Sequence, residues 1–209
     1  VTAIQADDKQ PGPAVLMPGM GTYHHKITTG SEQAQKFFDQ GLTLAYAFNH
    51  AEAERSFREA ARLDPNCAMC YWGISLVLGP NINMQMDKEA VPPAYVALNK
   101  AKELIKNASQ KEQDYINALA TRYGPSPVED RTKFNEAYAN AMREVAKKYP
   151  DDLDAATLFA EAMMDIHPWD YYNKETREPQ PWTPEIVSTL ESVMKRNPKH
   201  PGANHFYIH

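Results

Sequence analysis

Two runs of helical spacing set 34 residues apart restrict this chain more than any other feature of it. Phe37, Gly41 and Leu44 share one helix face at spacings of four and three. Tyr71, Ser75 and Leu78 repeat that spacing 34 residues later. Between them, Ala53, Phe57 and Ala60 mark a second helix. Asn49-His50 breaks the pattern before it, and Asp64-Pro65 ends it, because proline cannot continue a helix. Small residues at Gly41, Ala53 and Ala60 let two helices approach closely, and Phe57 fills the space between them. The predicted unit over 34–66 is therefore helix, turn, helix, stop. A self-similar period of this length means units that cannot bury their apolar faces alone and must stack.

Carrying the phase forward divides the rest of the chain. Ala94, Leu98 and Ala101 stand 41 residues after Ala53, Phe57 and Ala60, so the second unit carries a seven-residue insertion in the loop GPNINMQMDKEAVPP. Ser109-x-x-Glu112 is a capping box opening a helix to Tyr123. Pro125 and Pro127 mark a turn, and 129–148 reads as a helix closed by Tyr149-Pro150. This third unit keeps the outline of the first but not its small-residue anchors. Asp154–Asp165 is the next first helix, with Ala156, Ala160 and Met163 inward. After the long connection HPWDYYNKETREPQPW, Thr183-Pro184 reads as a cap with proline at the first helical position. Ile186, Leu190 and Val193 then restore the anchor spacing, and Pro198 closes the unit. Pro150 to Pro198 is 48 residues, which places fourteen inserted residues in that unit. A fifth unit begins at Pro201 and the sequence stops at His209, leaving Phe206 and Ile208 with little cover, so the expectation is part of a longer protein. Residues 1–30, with Pro11, Gly12, Pro13, Pro18, Gly19 and Gly21, form an irregular arm that Leu16, Met17 and Met20 could pin to the helices. Two regions follow: the arm, and a helical-repeat domain over 31–209 that is truncated in its last repeat.

Composition excludes some functions. The net charge is −5 with both signs mixed along the helices, which lacks the basic stripe a nucleic-acid surface needs. No apolar run approaches the roughly 20 residues of a membrane span, so no membrane insertion is expected. The chain starts at Val1, and VTAIQADDKQPGPAV has the small, polar look of a start left by signal-peptide removal. The expected location is periplasmic or secreted.

The first unit resembles a tetratricopeptide (TPR) repeat, whose second helix and stop read A-x3-F…P, here Ala53, Phe57 and Pro65. Phe37 stands where such repeats usually carry tryptophan. The strings YHHKITT (23–29), FFDQGLTLAYAFNHAEAERSF (37–57), CYWGISLVLGPNIN (70–83), HPWDYY (167–172) and GANHFYIH (202–209) resemble a family of large, secreted bacterial TPR proteins. The resemblance implies an all-α superhelix of antiparallel helix pairs with two long inserted loops, and export. It implies no reaction.

In such a superhelix the first helices line the concave groove. The residue after the Phe37 anchor, and the one four further on, point into it. These are Phe38 and Leu42, then Trp72 and Leu76, then Thr157 and Glu161 with Asp165 a turn on, then His205 and His209. Two histidines at i, i+4 can share a divalent metal, and Glu161 or Asp165 from the neighbouring helix would complete a three-ligand site. The alternative is that His205 and His209 line the groove and hydrogen bond to those acids. HxxxH lacks the glutamate of H-E-x-x-H, so no general base is placed and a binding module is favoured over an enzyme. Asn81 and Asn83 suit gripping a peptide, or simply turning the chain, and the same choice holds for Asn49-His50. Tyr23-His24-His25 is a histidine pair in a loop, metal-binding or only polar surface. Cys67-x-x-Cys70 sits where a helix N-terminus lowers thiolate pKa; packing, a local disulfide and redox chemistry are the readings. Trp169, Tyr171 and Tyr172 lie in a loop, where they cover one end of the groove or fold back as a plug. The leading expectation is a ligand- or protein-binding scaffold acting on a protein, a peptide or a small ligand. The alternative is a metal-binding protein or metal-dependent enzyme.

Overall fold

The computed structural model describes residues 13–209, and these are all-helical apart from isolated bridges at Asn81–Met84 and Tyr172–Pro179. The stretch 1–12, which carries most of the sequence behind the expected exported start, lies outside the described residues. The helices are α1 (Glu32–Tyr46), α2 (His50–Leu63), α3 (Ala68–Val77), α4 (Val91–Glu103), α5 (Gln110–Ala120), α6 (Thr132–Lys148), α7 (Leu153–Ile166), α8 (Thr183–Arg196) and α9 (Pro201–Ile208). None is long and apolar enough to cross a membrane.

Local chemistry sets most ends. Ser31 caps α1 through the Ala34 amide, Asn49 caps α2, and Ser109 and Glu112 form the reciprocal box on α5. Two boundaries differ from expectation. α6 starts at Thr132 rather than 129, after Asp130 takes the Thr132 amide in a short turn. Thr183 does not cap α8: its hydroxyl donates to the Tyr171 carbonyl and ties the 167–182 connection to the helix start.

Each helix packs on the next, and α1 touches α3, α3 touches α5 and α7 touches α9. The anchors are interior: Ala53, Phe57, Ala60, Ala94, Leu98, Ala101, Ile186, Leu190 and Val193 are all buried. Phe57 lies between α1 and α3, against Gly41 of the first and Gly73 of the second. A Cβ on Gly41 would stand 2.8 Å from the Phe57 ring, and one on Gly73 closer still.

The stack also closes on itself. α9 packs against α1 as well as α7 and α8, whereas units of an open solenoid meet only their neighbours. Phe206, expected to have little cover, is therefore buried against Tyr46 and Phe48, with ring centroids 5.9 and 5.8 Å away. Gly202 permits that approach, since a Cβ there would meet the Tyr46 ring at 2.6 Å. Ile208 stays exposed.

From Pro13 onward the arm lies on the helices. Gln40 binds it at Val15 and Met17, Glu112 takes the amide and hydroxyl of Thr28, and Asp64 takes the hydroxyl of Thr29.

Gly73→Ala is expected to destabilise the protein by about 1–3 kcal/mol in urea denaturation. The gain of roughly 1 kcal/mol from replacing a helical glycine does not offset it, because the fully buried Phe57 ring has nowhere to move.

Candidate functional site

α7 runs through the middle of the molecule and carries Asp154, Glu161 and Asp165 on one buried stripe. The Asp152 side chain caps the helix, accepting the amides of Asp154 and Ala155 at 3.1 Å. That turns Asp154 inward in the first turn, where the helix dipole favours an anion.

Asp154 is a buried hub. Its Oδ1 accepts the hydroxyls of Tyr23 at 2.5 Å and Tyr46 at 2.6 Å and lies 3.1 Å from His200 Nε2. Its Oδ2 lies 2.7 Å from His25 Nδ1. The Nδ1 of His200 accepts the Ala203 amide and so carries no proton, which makes Nε2–H the donor to Asp154. Burial alone would raise the Asp154 pKa, but the bonds from His200 and His25 hold the carboxylate well below its ordinary range. Burial would lower His25, yet Asp154 holds it above its usual value. Tyr23 and Tyr46 are pushed up, first by burial and then by the Asp154 charge. The hub joins the arm, α1, α7 and the start of α9.

Further along the stripe, Asp165 pairs with Arg122, which follows α5 and donates also to the Pro80 carbonyl at 2.9 Å. The guanidinium lies 4.6 Å over the Tyr138 ring. Burial raises the Glu161 pKa, and burial with the Glu161 charge pushes Asp165 well above its ordinary value. One arginine faces two acids, and both carboxyls are held above their ordinary values. Glu161 Oε2 and Asp165 Oδ1 are buried with no donor from the rest of the described chain. Glu161 also lines a cavity of about 30 Å³ with Tyr46, Phe48, His50, Arg122 and Phe206, with room for about one water.

The mouth of this region is built from rings. Phe48 and Trp169 have φ of 57° and 62°, a left-handed conformation rare for aromatic residues. Such backbone costs about 1–3 kcal/mol and persists where the surroundings enforce it. Both rings converge on the histidines of α9: Phe48 lies 4.6 Å from His205 and 5.6 Å from His209, and Trp169 lies 5.0 Å edge-on to His209. His205 Nδ1 is 2.5 Å from the Tyr46 carbonyl, and the two Nε2 atoms are 3.2 Å apart. His205 and His209 are half-buried and Trp169 is exposed.

The residues expected to line an open groove are interior. Phe38 and Trp72 are buried, and the His25 ring of the arm packs 6.0 Å from Phe38. Asp165 pairs with Arg122, and among the described residues neither it nor Glu161 groups with the histidines within 4.8 Å. Among the described residues, the group with three ligating atoms within 4.8 Å of one another is His25, Asp152 and Asp154. There Asp154 is occupied by four donors, and Asp152 by its helix amides and Lys111 at 2.7 Å. Asn81 accepts the Asn83 amide in a tight turn and faces His50 at 3.4 Å, while Asn83 is exposed. Cys67 and Cys70 are buried, free thiols, and Cys67 Sγ accepts the Cys70 amide as the α3 cap. Contrary to the lowering expected at a helix N-terminus, the Cys67 thiol and burial push Cys70 far up, against redox use. Of the loop aromatics, Tyr171 folds inward while Trp169 and Tyr172 stay outside. His24, beside the buried His25, is exposed on Asp39.

Sequence reasoning missed the roles of Asp154, Arg122, His200 and Phe48. The His24-His25 pair is the one local signal of the hub, readable as a metal pair or as plain polarity. Comparison with protein-family models, curated proteins and solved structures finds no match.

Asp154→Asn is expected to cost about 3–5 kcal/mol, since it removes the charge that the buried donors were set around. The pH profile follows from the same groups. The contribution of His25 is complete below about pH 6.5 and is lost as pH rises through its raised folded value. Asp154 contributes above about pH 3.9 and loses this as pH falls through its depressed value. Glu161 and Asp165, raised by folding, favour stability at lower pH as His25 does. Denaturation across pH should show a maximum between about pH 4 and 6.5, with an alkaline fall that shrinks in Asp154→Asn.

Proposed function

We propose that this chain is a TPR-type helical-repeat binding module whose ligand site is the ring-walled rim where α9 meets the α1–α2 turn. The repeat reading is supported by the 34-residue phase and by Phe57 lying between Gly41 and Gly73. The observation that carries the site is the convergence of two left-handed aromatics, Phe48 and Trp169, on the accessible imidazoles of His205 and His209. Strain of this kind concentrates at ligand clamps.

The concave face is a poorer candidate, since the arm and α9 occupy it. The rim opens beside His209 into an apolar cavity of about 230 Å³, with Tyr172, Ile186, Leu190 and Tyr207 among its walls. That is smaller than the cavities that take drug-sized molecules, and it suits one apolar side chain of a protein or peptide. Exposed Trp169, Tyr172 and Tyr207 supply the amphipathic rings that peptide sites favour. The reading is a binder, with no reaction assigned.

Peptides selected from a display library on the whole chain test it. Their affinity should fall about 30-fold or more in Trp169→Ala and Tyr207→Ala, the loss of a hot-spot side chain. It should be unchanged in Val96→Ala, an exposed position on α4. Peptides indifferent to both rim substitutions would place the site elsewhere.

A further inference from the structure

We infer that His205 and His209 form a site for a divalent transition metal of the zinc, nickel or copper class, open toward the rim. The inference rests on reading that rim as the ligand site. Zinc–imidazole bonds are about 2.0–2.1 Å, so two nitrogens of a tetrahedral centre stand about 3.3 Å apart. The two Nε2 atoms are 3.2 Å apart without a metal, with ring planes inclined at 48°.

The protonation pattern fits. A carbonyl oxygen only accepts, so the 2.5 Å contact from His205 Nδ1 to the Tyr46 carbonyl requires Nδ1–H. That leaves the lone pair of His205 on Nε2. Metal-ligating histidines almost always make this outer bond, which fixes tautomer and ring plane. The Nε2 of His209 then donates to His205, and that proton is the one a metal displaces. It leaves through solvent and a proton is taken up at Nδ1, so His209 stays neutral and the exchange balances. Phe48 and Trp169 hold the rings from two sides.

The site differs from the three-ligand arrangement the sequence suggests. Asp165 is paired with Arg122, and among the described residues no group containing both His205 and His209 has a third ligating atom within 4.8 Å. The chain supplies two ligands, and the remaining positions face the rim, open to water or to a carboxylate or imidazole of a bound peptide. Two neutral imidazoles select zinc, nickel or copper over magnesium or calcium.

Calorimetric titration of the whole chain with zinc chloride tests this. The expected result is one zinc per chain, with affinity at least tenfold weaker in His205→Ala and in His209→Ala and unchanged in His24→Ala, an exposed imidazole on Asp39. If His205→Ala fails to fold, His209→Ala decides, because its ring lies at the rim. Cobalt in place of zinc should give the intense visible bands of a four-coordinate centre, lost in His209→Ala. No stoichiometric zinc, or zinc that persists in His209→Ala, overturns the site. The same result alongside display peptides that still need Trp169 overturns the metal alone and leaves the rim as a peptide site.

Discussion

A carboxylate buried away from water is tolerated only when its charge is fully met, and Asp154 meets that condition by drawing in four donors from other parts of the chain. Tyr23 and His25 come from the arm, Tyr46 from the end of α1, and His200 from the cap of α9. The same imidazole that donates to Asp154 through Nε2 starts α9 through Nδ1. The charge therefore fixes where the last helix begins, and through the Tyr46 carbonyl it also fixes the His205 ring.

The elements were legible in the sequence because they depend on neighbours. Helix faces at four-and-three spacing, the Ser109–Glu112 box and the Pro65 stop need only a few residues around them, and the structure forms them. The 34-residue phase also placed Glu161, Asp165, His205 and His209 together as groove-lining residues, of which the acids are buried and the histidines half-buried. What the phase could not give was closure. Phe206 looked uncovered because a stacked unit has cover only from the next one, whereas here α1 supplies it from across the molecule. The partnership of Asp165 with Arg122 was hidden for the same reason: 43 residues separate them, and Arg122 follows a helix whose anchors are degenerate. Phe48 was invisible because a left-handed backbone in an aromatic residue leaves no sign in residue type.

The inner stripe of α7 divides into two kinds of chemistry. At Asp154 every acceptor is engaged and the charge is strongly favoured, which makes a tie. At Glu161 and Asp165 one cation serves two acids, and burial holds both carboxyls above their ordinary values. The small cavity and the left-handed aromatics Phe48 and Trp169 lie toward the α9 end.

The contact of α9 with α1 has a kinetic side. A linear array can fold from any unit outward, because each interface joins adjacent segments. Here the ties at Asp154 span 131, 129 and 108 residues to Tyr23, His25 and Tyr46. Such loops close at an entropic cost before their contacts form, and high contact order slows folding. The helix pairs can form early, but the arm and α9 settle only once both ends of the chain have met. The molecule is thereby bound to gain and lose its two ends together, as one cooperative body.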